Sequence, residues 1–256
     1  MNHSPIVRHV MITGASGAIG RALALVYAAP GVLLSLTARD ADRLAETTAL
    51  CKQFGAEVVS AAIDVKATTT LTQWIETRDQ QQPIDLIIAN AGITSSIGND
   101  GQAEPWHRVE QVFQINLIGA VASINPLTIR MAARGRGQIA LMSSLGAYVG
   151  MPISPAYNAS KAAVKVYGEG LRGWLAPQGV GVSVICPGFI ASNMSKAYPG
   201  PTPFLLSADK AAAIIRNGLA RNRAIIAFPW PLTLSMRFLA LLPTDWSLAL
   251  QRLFKF

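Results

Sequence analysis

Cysteine, histidine and charge are all scarce in this chain of 256 residues. With 2 cysteines and 3 histidines, a disulfide scaffold is excluded and a zinc site is not expected, so no metal is predicted. Cys51 and Cys186 lie in apolar segments, which indicates buried thiols in a reducing compartment. Charged residues make up 14% of the chain and apolar residues 51%. Disordered chains have the opposite balance, so we predict a folded chain at the upper size limit of one domain.

The sequence also lacks an uninterrupted apolar run. Its N-terminus has no basic start followed by an apolar stretch, so no signal peptide is predicted. Two long charge-free runs, 137–160 and 173–195, are interrupted by Pro, Gly, Ser and Asn, unlike a membrane span. We therefore expect a soluble, cytoplasmic protein.

Acidic residues are scarce in the second half of the chain. Residues 1–128 hold 8 Lys/Arg against 11 Asp/Glu, and residues 129–256 hold 14 against 3. A basic half is typical of proteins that meet nucleic acid, an anionic membrane or an acidic substrate, and it also serves plain solubility. Because no run of five basic residues is present, we expect no nucleic-acid partner.

Short β-rich runs alternate with helical stretches along the chain. Strands that are apolar on both faces and separated by helices favour a Rossmann-like, doubly wound parallel α/β sheet of about seven strands with helices on both faces. No linker or repeat divides the chain, so we predict one domain, 1–228, with a helical C-terminal extension, 229–256. The predicted strands are 8–13, 32–37, 57–62, 84–89, 138–143, 181–186 and 223–228. The predicted helices are 18–29, 40–54, 67–78, 106–134, 154–176, 208–219, 232–242 and 244–254.

A glycine-rich turn joins the first predicted strand to its helix. Small residues there let backbone N–H groups and the helix N-terminus approach a pyrophosphate, although glycine also serves any tight turn. The spacing is Gly14-x3-Ala18-x-Gly20, which departs from the GxGxxG fingerprint. The position after a strand and before a helix favours a dinucleotide site.

Two side chains of one predicted helix suit acid–base chemistry. Tyr157 and Lys161 are four residues apart and therefore share a helix face. A free phenol has a pKa of about 10, so it is a weak acid–base catalyst at neutral pH. A neighbouring ammonium lowers that pKa. Ser144 lies 13 residues before Tyr157, just past a strand end, where such sheets bind ligands.

Together these motifs resemble the short-chain dehydrogenase/reductase superfamily, and the resemblance extends over almost the whole chain. It implies an oxidoreductase that transfers a hydride between a nicotinamide and a carbonyl or alcohol carbon. It also implies a homodimer or homotetramer assembled through the helices 106–134 and 154–176. The matches, in chain order, are the glycine-rich turn, Asp64-Val65, Asn90-Ala91-Gly92, Asn116, Ser144, the Tyr157/Lys161 pair and Pro187-Gly188.

The resemblance implies four catalytic residues. Tyr157 would shuttle the proton, Lys161 would tune it and bind the ribose hydroxyls, and Ser144 would orient the substrate oxygen. Asn116 would hold a helix kink and a water that relays protons to the lysine; the alternative is a helix-interior amide bonded to backbone. Ser143 is the competing serine.

The resemblance also implies the residues that bind the cofactor. The residues of the glycine-rich turn would bind the pyrophosphate, and Asp64 and Val65 would bind the adenine. The residues from Asn90 onward would line the nicotinamide, with the Ile190 backbone and the Ser192 hydroxyl holding its carboxamide. Asp64 has the alternative role of a helix N-cap, and Ala89 departs from the asparagine usual in the family. The cofactor-binding residues are Gly14, Ser16, Ala18, Ile19, Gly20, Arg39, Asp64, Val65, Asn90, Ala91, Gly92, Tyr157, Lys161, Pro187, Gly188, Ile190 and Ser192.

The end of the second strand indicates which nicotinamide cofactor is used. Ala38 stands where family members that use NAD commonly carry aspartate, and Arg39 follows it. A guanidinium can hold a 2′-phosphate bidentately. Pairing of Arg39 with Asp42 is the alternative, and Asp40 is close by. We predict that NADP(H) is preferred and that NAD(H) is tolerated.

Apolar residues near the motifs are candidates for a substrate pocket. They favour an apolar or mixed substrate such as a steroid-like or terpenoid alcohol, an acyl chain or a modified sugar, under a lid at 193–206. The candidates are Leu145, Tyr148, Met151, Ile153, Phe189, Met194, Tyr198 and Phe204.

The C-terminal extension is rich in Leu, Phe and Trp, and residues 216–256 hold 6 Lys/Arg against 1 Asp. Three alternatives are open: a cap over the site or core, a subunit interface, or an anchor in a membrane surface. Its two predicted helices are too short to span a bilayer.

Three other functions compete with the predicted reductase. A silent NADP(H)-binding sensor needs only the cofactor site, so the presence of all four catalytic residues, Ser144, Tyr157, Lys161 and Asn116, argues against it. An NAD-dependent alcohol dehydrogenase is a further alternative. A dehydratase or epimerase of nucleotide sugars usually comes from a longer chain.

Overall fold

A computed structural model describes residues 7–97 and 102–253. The first six residues, considered above for a leader, and Phe254, the predicted end of the last helix, lie outside the described residues.

Seven parallel strands form one sheet in the order β3-β2-β1-β4-β5-β6-β7. The chain winds outward from β1 to β3, returns to place β4 beside β1, and then winds in the opposite direction. The carboxyl ends of β1 and β4 therefore flank the crevice where doubly wound sheets bind ligands. The predicted sheet is confirmed. Its strands are β1 (His9–Thr13), β2 (Leu33–Ala38), β3 (Glu57–Ala62), β4 (Leu86–Ala89), β5 (Gly137–Met142), β6 (Val180–Pro187) and β7 (Ile225–Phe228).

Helices connect the strands and cover both faces of the sheet. They are α1 (Ala18–Tyr27), α2 (Ala41–Gln53), α3 (Thr68–Gln81), α4 (Trp106–Phe113), α5 (Ala120–Arg134), α6 (Pro155–Leu175), α7 (Asn193–Lys196), α8 (Ala208–Ala220), α9 (Trp230–Leu241) and α10 (Thr244–Leu253).

The core lies in two apolar layers, one on each face of the sheet. Val10 and Ile12 of β1 pack in one layer with the α1 and α8 side, whereas Met11, between them, packs in the other. Because successive strand side chains point to opposite faces, a strand buried on both sides must be apolar throughout. All five residues of β1 are buried.

Helix α2 differs from its prediction in its first residue and in the burial of Leu50. It begins one residue later than predicted, because the Asp40 side chain caps it by accepting from the Arg43 N–H at 3.0 Å. Its buried positions are Leu44, Thr47 and Cys51. Leu50 was predicted on the inner side but is only half-buried. The buried positions follow one another at intervals of three and four residues, and Leu50 is not at one of those positions. Cys51 and Cys186 are both free and buried, as predicted.

The helix predicted over 106–134 is continuous but contains a wide π turn. Helices α4 and α5 are joined by a π segment at Gln114–Gly119, which includes Asn116. By length and composition, Trp106–Arg134 is the one helix within 7–97 and 102–253 that could cross a membrane, yet half of its most apolar stretch is buried in the fold. A core helix of an α/β domain has the same composition.

Candidate active site

The glycine-rich turn lies between β1 and α1 at the crevice. Gly14 has φ +68°, a conformation that glycine adopts without strain. A Cβ on Gly14 would lie 2.8 Å from the Ala91 Cα, so a side chain there would push the turn away from the loop after β4. The Asn90 amide donates to the carbonyl oxygens of Thr13 at 3.0 Å and Gly14 at 3.2 Å. These contacts lock the turn against the end of β4.

The N-terminus of α1 suits an anion. Its N-cap is Gly17, and within the described residues no side chain caps the helix. The first-turn N–H groups are therefore directed toward the cleft, together with the positive end of the helix dipole. Because Gly14 has no Cβ, a pyrophosphate can come close to the backbone of the turn, and the uncapped end of α1 can bind its negative charge. Both features fit a dinucleotide.

One cleft of about 610 Å³ runs from this turn along the carboxyl ends of the strands. Every residue predicted to bind the cofactor lines it, as does Ser144. Asn116 is the exception among the predicted site residues, because its side chain is fully buried behind the cleft wall. The structure thus brings together residues from the turn, β2, β3, β4, β5, α6 and β6.

The adenosine end of the cleft carries two arginines. Arg39 is exposed on the loop after β2, and Arg43, which the sequence reasoning missed, lines the same end one helical turn later. Arg39 lies before the N-cap of α2, so helical spacing did not connect it with Arg43. Among the described ion pairs, none joins Arg39 to Asp42.

Asp64 does not cap a helix, so that alternative is wrong. Its carboxylate accepts from the Lys66 N–H at 2.9 Å and lies 3.7 Å from the Lys66 ammonium, while Ala67 is the N-cap of α3. Val65 is buried beside it and also lines the cleft.

Ser143 and Ser144, the two candidate catalytic serines, have different surroundings. Ser143 is buried, and its hydroxyl donates to the Lys161 carbonyl oxygen at 2.7 Å, which ties β5 to α6. Ser144 begins a short turn, and its hydroxyl accepts from the Gly146 N–H at 3.1 Å. Its hydroxyl also lies close enough to the Tyr157 phenol to lower the pKa of that group. Ser144 is therefore the serine beside the phenol.

Tyr157 and Lys161 lie on the first turns of α6, where burial shifts the pKa of both side chains. The Lys161 ammonium donates to the Met142 carbonyl oxygen at 2.8 Å and lies 5.8 Å from the centre of the Tyr157 ring. Burial lowers the pKa of Lys161 to about 8. Burial also raises the pKa of Tyr157, and the hydrogen bond to Ser144 opposes this effect.

The expectation that the ammonium lowers the pKa of Tyr157 is therefore not met in this structure. Desolvation disfavours the phenolate and the ammonium alike, because both charged forms lose water in the same enclosed space. The hydrogen bond from Ser144, rather than the lysine, is the contact that favours the phenolate.

Asn116 is held in the π turn by three hydrogen bonds. Its carbonyl oxygen accepts from the Ile93 N–H at 2.8 Å, and its amide donates to the Ile93 carbonyl oxygen at 2.9 Å and to the Ser160 hydroxyl at 3.0 Å. A Cβ on Gly92 would lie 3.3 Å from both the Asn116 oxygen and the Lys161 ammonium. Asn116 thus bonds to backbone, as its alternative interpretation states, and it also faces the lysine across Gly92.

The segment after β6 forms the far wall of the cleft. The lid predicted at 193–206 is fastened at its base, since Ile190 pairs with Leu206 and the Ala191 N–H donates to the Leu206 carbonyl oxygen at 2.8 Å. The Ser192 hydroxyl accepts from the Ser195 N–H at 3.2 Å and so caps α7. It lines the cleft at the same time.

Six of the eight predicted substrate-lining residues line the cleft, and Tyr148 and Phe204 do not. Phe204 is exposed on the lid with φ +56°. The Tyr148 ring lies instead between Lys165 and Arg237, at 5.2 and 5.8 Å. Nearness in sequence to the motifs did not fix the direction of either side chain.

Helix α9 closes the substrate end of the cleft. Leu232 and Met236 line the cleft and pack with Leu145 and Cys186. No local sequence signal identified these two residues, which belong to the extension. Of the three alternatives for the extension, the structure shows that α9 serves as a cap.

Glu104 positions the helix that carries Tyr157. Its carboxylate accepts from the Ala156 N–H at 3.0 Å, in the first turn of α6, and also from the Ser95 hydroxyl. A negative charge at a helix N-terminus is stabilising. We expect Glu104→Gln to lower the free energy of unfolding by about 1 kcal/mol, because it removes that charge and one strong acceptor. Urea unfolding against exposed Glu110→Gln checks this, and equal effects of the two variants would contradict it.

Comparisons with known proteins agree with this geometry. A family model described as short chain dehydrogenase matches residues 8–200. An uncharacterized oxidoreductase of Myxococcus xanthus is 33% identical over 237 residues, which cover 92% of this chain and 93% of that protein. The solved structure of a short-chain dehydrogenase from Sphingobium yanoikuyae in complex with NADPH matches with a TM-score of 0.79 and 26% identity, over 97% of this chain and 96% of that one.

A second solved structure holds the other coenzyme. It is a 3-oxoacyl-acyl-carrier-protein reductase with bound NAD from Brucella melitensis, with a TM-score of 0.73 and 25% identity over 86% of this chain and 87% of that one. The family model covers well over half of the chain. The chain therefore belongs to the short chain dehydrogenase family, the oxidoreductases that act on alcohol and ketone groups with a nicotinamide cofactor.

Proposed function

We propose that this protein is an NADP(H)-dependent oxidoreductase that interconverts a carbonyl and an alcohol on a small apolar substrate, with Tyr157 as general acid and base. The observation that carries the proposal is the placement of Ser144, Tyr157 and Lys161 together in the cleft that begins at the glycine-rich turn. When bound, the nicotinamide supplies or accepts the hydride at the substrate carbon.

Tyr157 holds the proton that the substrate oxygen needs. Its raised pKa keeps the phenol protonated at neutral pH, so it serves as a proton donor in the direction of reduction. Ser144, which lies beside the phenol in the same cleft, presents a second hydroxyl to the same oxygen and helps to stabilise the charge that develops there. Two donors on one oxygen also fix the orientation of the substrate.

Lys161 and Asn116 support the phenol from behind. Both face the space beside Gly92, which suits a water held there by Asn116 that relays protons to the lysine. The Ser160 hydroxyl donates to the Tyr157 carbonyl oxygen at 2.7 Å and accepts from Asn116, so the π turn is tied to the catalytic turn of α6. This network holds Tyr157 in place.

The substrate end supports an apolar ligand. Its walls come from the turn after Ser144, from the lid and from α9, and the aromatic rings of Phe189 and Tyr198 pack there at 5.2 Å. A terpenoid or steroid-like alcohol or an acyl chain would suit these walls better than a modified sugar, whose hydroxyl groups need more polar partners.

The preference for NADP(H) rests on charge at the adenosine end. Arg39 and Arg43 both line this end, and Ala38 brings no carboxylate there, so a 2′-phosphate meets cations. Asp40 also lines this end, and its carboxylate accepts from the Arg43 N–H as the N-cap of α2, with the two arginines on either side of it in the chain.

We expect Arg39→Ala to weaken NADPH binding about tenfold or more and to leave NADH binding nearly unchanged, because charge-assisted bonds to the phosphate are lost. Arg43→Ala should have a smaller effect in the same direction. Fluorescence titration of both coenzymes, with exposed Arg223→Ala as the matched control, measures this. If NADH binds the wild type as tightly as NADPH, the protein is an NAD-dependent alcohol dehydrogenase; if neither coenzyme binds, the proposed activity fails.

We further propose a cytoplasmic homodimer or homotetramer. The helices α4, α5 and α6 expose large apolar side chains that a partner subunit would cover, and the buried thiols suit a reducing compartment. The exposed side chains are Trp106, Ile129, Val166, Tyr167 and Trp174.

A further inference from the structure

Helix α9 is apolar on the face that points away from the fold as well as on its inner face. Trp230, Leu234, Phe238 and Leu241 are between 55% and 85% exposed. Their spacing of four, four and three residues places them on one side of the helix. The inner side, with Leu232 and Met236, is buried against the cleft. A stripe of four large apolar side chains is thus presented to solvent.

Helix α10 buries two polar side chains and exposes two large apolar ones, together with Thr244, Asp245 and Arg252. It buries Ser247 and Gln251, and the Gln251 amide donates to the Gly150 carbonyl oxygen at 3.3 Å. It exposes Trp246 and Leu253, at 67% and 74%, which are seven residues apart and so share a face. Large apolar side chains on the outer face of a surface helix are unusual, since polar residues normally occupy that face. The outer face of α10 therefore suits an apolar environment that is not the protein's own core.

Basic residues surround this apolar surface. Arg237 and Arg252 are exposed on the two helices, and Arg221 and Arg223 are exposed just before β7. Residues 216–256 contain one acidic residue, Asp245. A second copy of the chain would bring the same positive charges to the contact and would be repelled. An anionic lipid surface complements them.

We propose that the outer faces of α9 and α10 bind an anionic bilayer, with both helices lying in the plane of the interface. Helices of 12 and 10 residues are too short to span a membrane. Aromatic and leucine side chains enter the acyl boundary while arginines meet the head groups, as in monotopic amphipathic helices. The proposal does not depend on the coenzyme or the substrate. It places the membrane on the outer side of the same helix that closes the cleft.

Flotation of the full-length protein with vesicles tests this proposal. Vesicles of phosphatidylcholine with about one-third phosphatidylglycerol are expected to carry the protein upward, and pure phosphatidylcholine vesicles are not, because head-group charge contributes to binding. Leu234→Ser combined with Phe238→Ser and Trp246→Ser is expected to reduce binding at least about tenfold. Arg252→Gln is expected to reduce binding about fivefold, which corresponds to about 1 kcal/mol per basic residue.

Phe54→Ser is the matched control, since it removes an exposed apolar side chain at the end of α2, near the edge of the sheet opposite to β7. It should bind vesicles like the wild type, and circular dichroism shows whether each variant is folded. Equal binding to neutral vesicles, or equal loss in the control, overturns the proposal. So does an absence of vesicle binding, and if the α9 and α10 variant then changes the oligomeric state in analytical ultracentrifugation, the surface is a subunit interface instead.

Discussion

Tyr157→Phe is expected to lower kcat/KM for carbonyl reduction by at least about 100-fold, because positioned proton donors contribute factors of this size or more. The substitution keeps the ring and removes only the hydroxyl, which is the group that holds the transferable proton and the hydrogen bond to Ser144. The Phe side chain fits the same space in α6, so the cleft and its coenzyme contacts should remain. NADPH binding is therefore expected to change by less than about threefold.

The measurement is oxidation of NADPH with a panel of cyclic ketones and β-ketoacyl thioesters, together with NADPH titration of the same samples. Tyr148→Phe is the matched control, because Tyr148 lies close in sequence but outside the cleft. A Tyr157→Phe enzyme with full activity would show that another group donates the proton. A wild type that binds NADPH but reduces none of the probes, and whose bound coenzyme is unaffected by Tyr157→Phe, would favour the silent sensor.

The sheet could be predicted from the sequence because it depends on local patterns, whereas the residues along the cofactor cleft were predicted from the resemblance to a known family. Apolar strands separated by helices require a covered parallel sheet, and the carboxyl ends of such strands meet at one edge. Gly14 and Asn90, far apart in the chain, each follow a strand of this sheet, and they meet at that edge through a 3.2 Å hydrogen bond. The resemblance then supplied roles that composition and spacing alone could not supply.

Direction and burial of side chains were not predictable in the same way. Tyr148 and Phe204 were expected in the cleft because they lie near the motifs, yet one is stacked between cations and the other is exposed. Leu232 and Met236 come from the extension, and only the packing of α9 reveals that they close the cleft. The direction of the Tyr157 pKa also depends on burial, which a one-dimensional pattern does not contain.

Lys161→Met is expected to abolish most activity and at the same time to stabilise the folded protein at pH 7. Burial lowers the pKa of this lysine from 10.5 to about 8, which corresponds to a cost of about 3 kcal/mol for the buried ammonium. Methionine has a similar length and no charge to desolvate. It leaves the Met142 carbonyl oxygen without its 2.8 Å donor, a loss of about 1 kcal/mol. The net expectation is a gain of about 2 kcal/mol in the free energy of unfolding.

The pH dependence gives this prediction its sharpest test. Between the folded-state value of about 8 and the ordinary value of 10.5, the unfolded chain holds the lysine proton and the folded chain has released it. The stability that Lys161 gives to the wild type therefore rises with pH across this window, and its full cost is present below about 8. The advantage of Lys161→Met should be largest at pH 7 and should shrink toward pH 10.

Urea unfolding at both pH values measures the difference, with Lys165→Met as the matched control. Lys165 lies one turn later on α6 and pairs with Glu169 at 2.7 Å near the surface, so its loss should bring no gain at either pH. A Lys161→Met protein that is less stable than the wild type by the same amount at pH 7 and pH 10 would show that the ammonium is well solvated or well paired. If the variant is more stable and inactive, the lysine is kept in this site at the expense of the fold, which is the expected pattern for a group that serves the reaction.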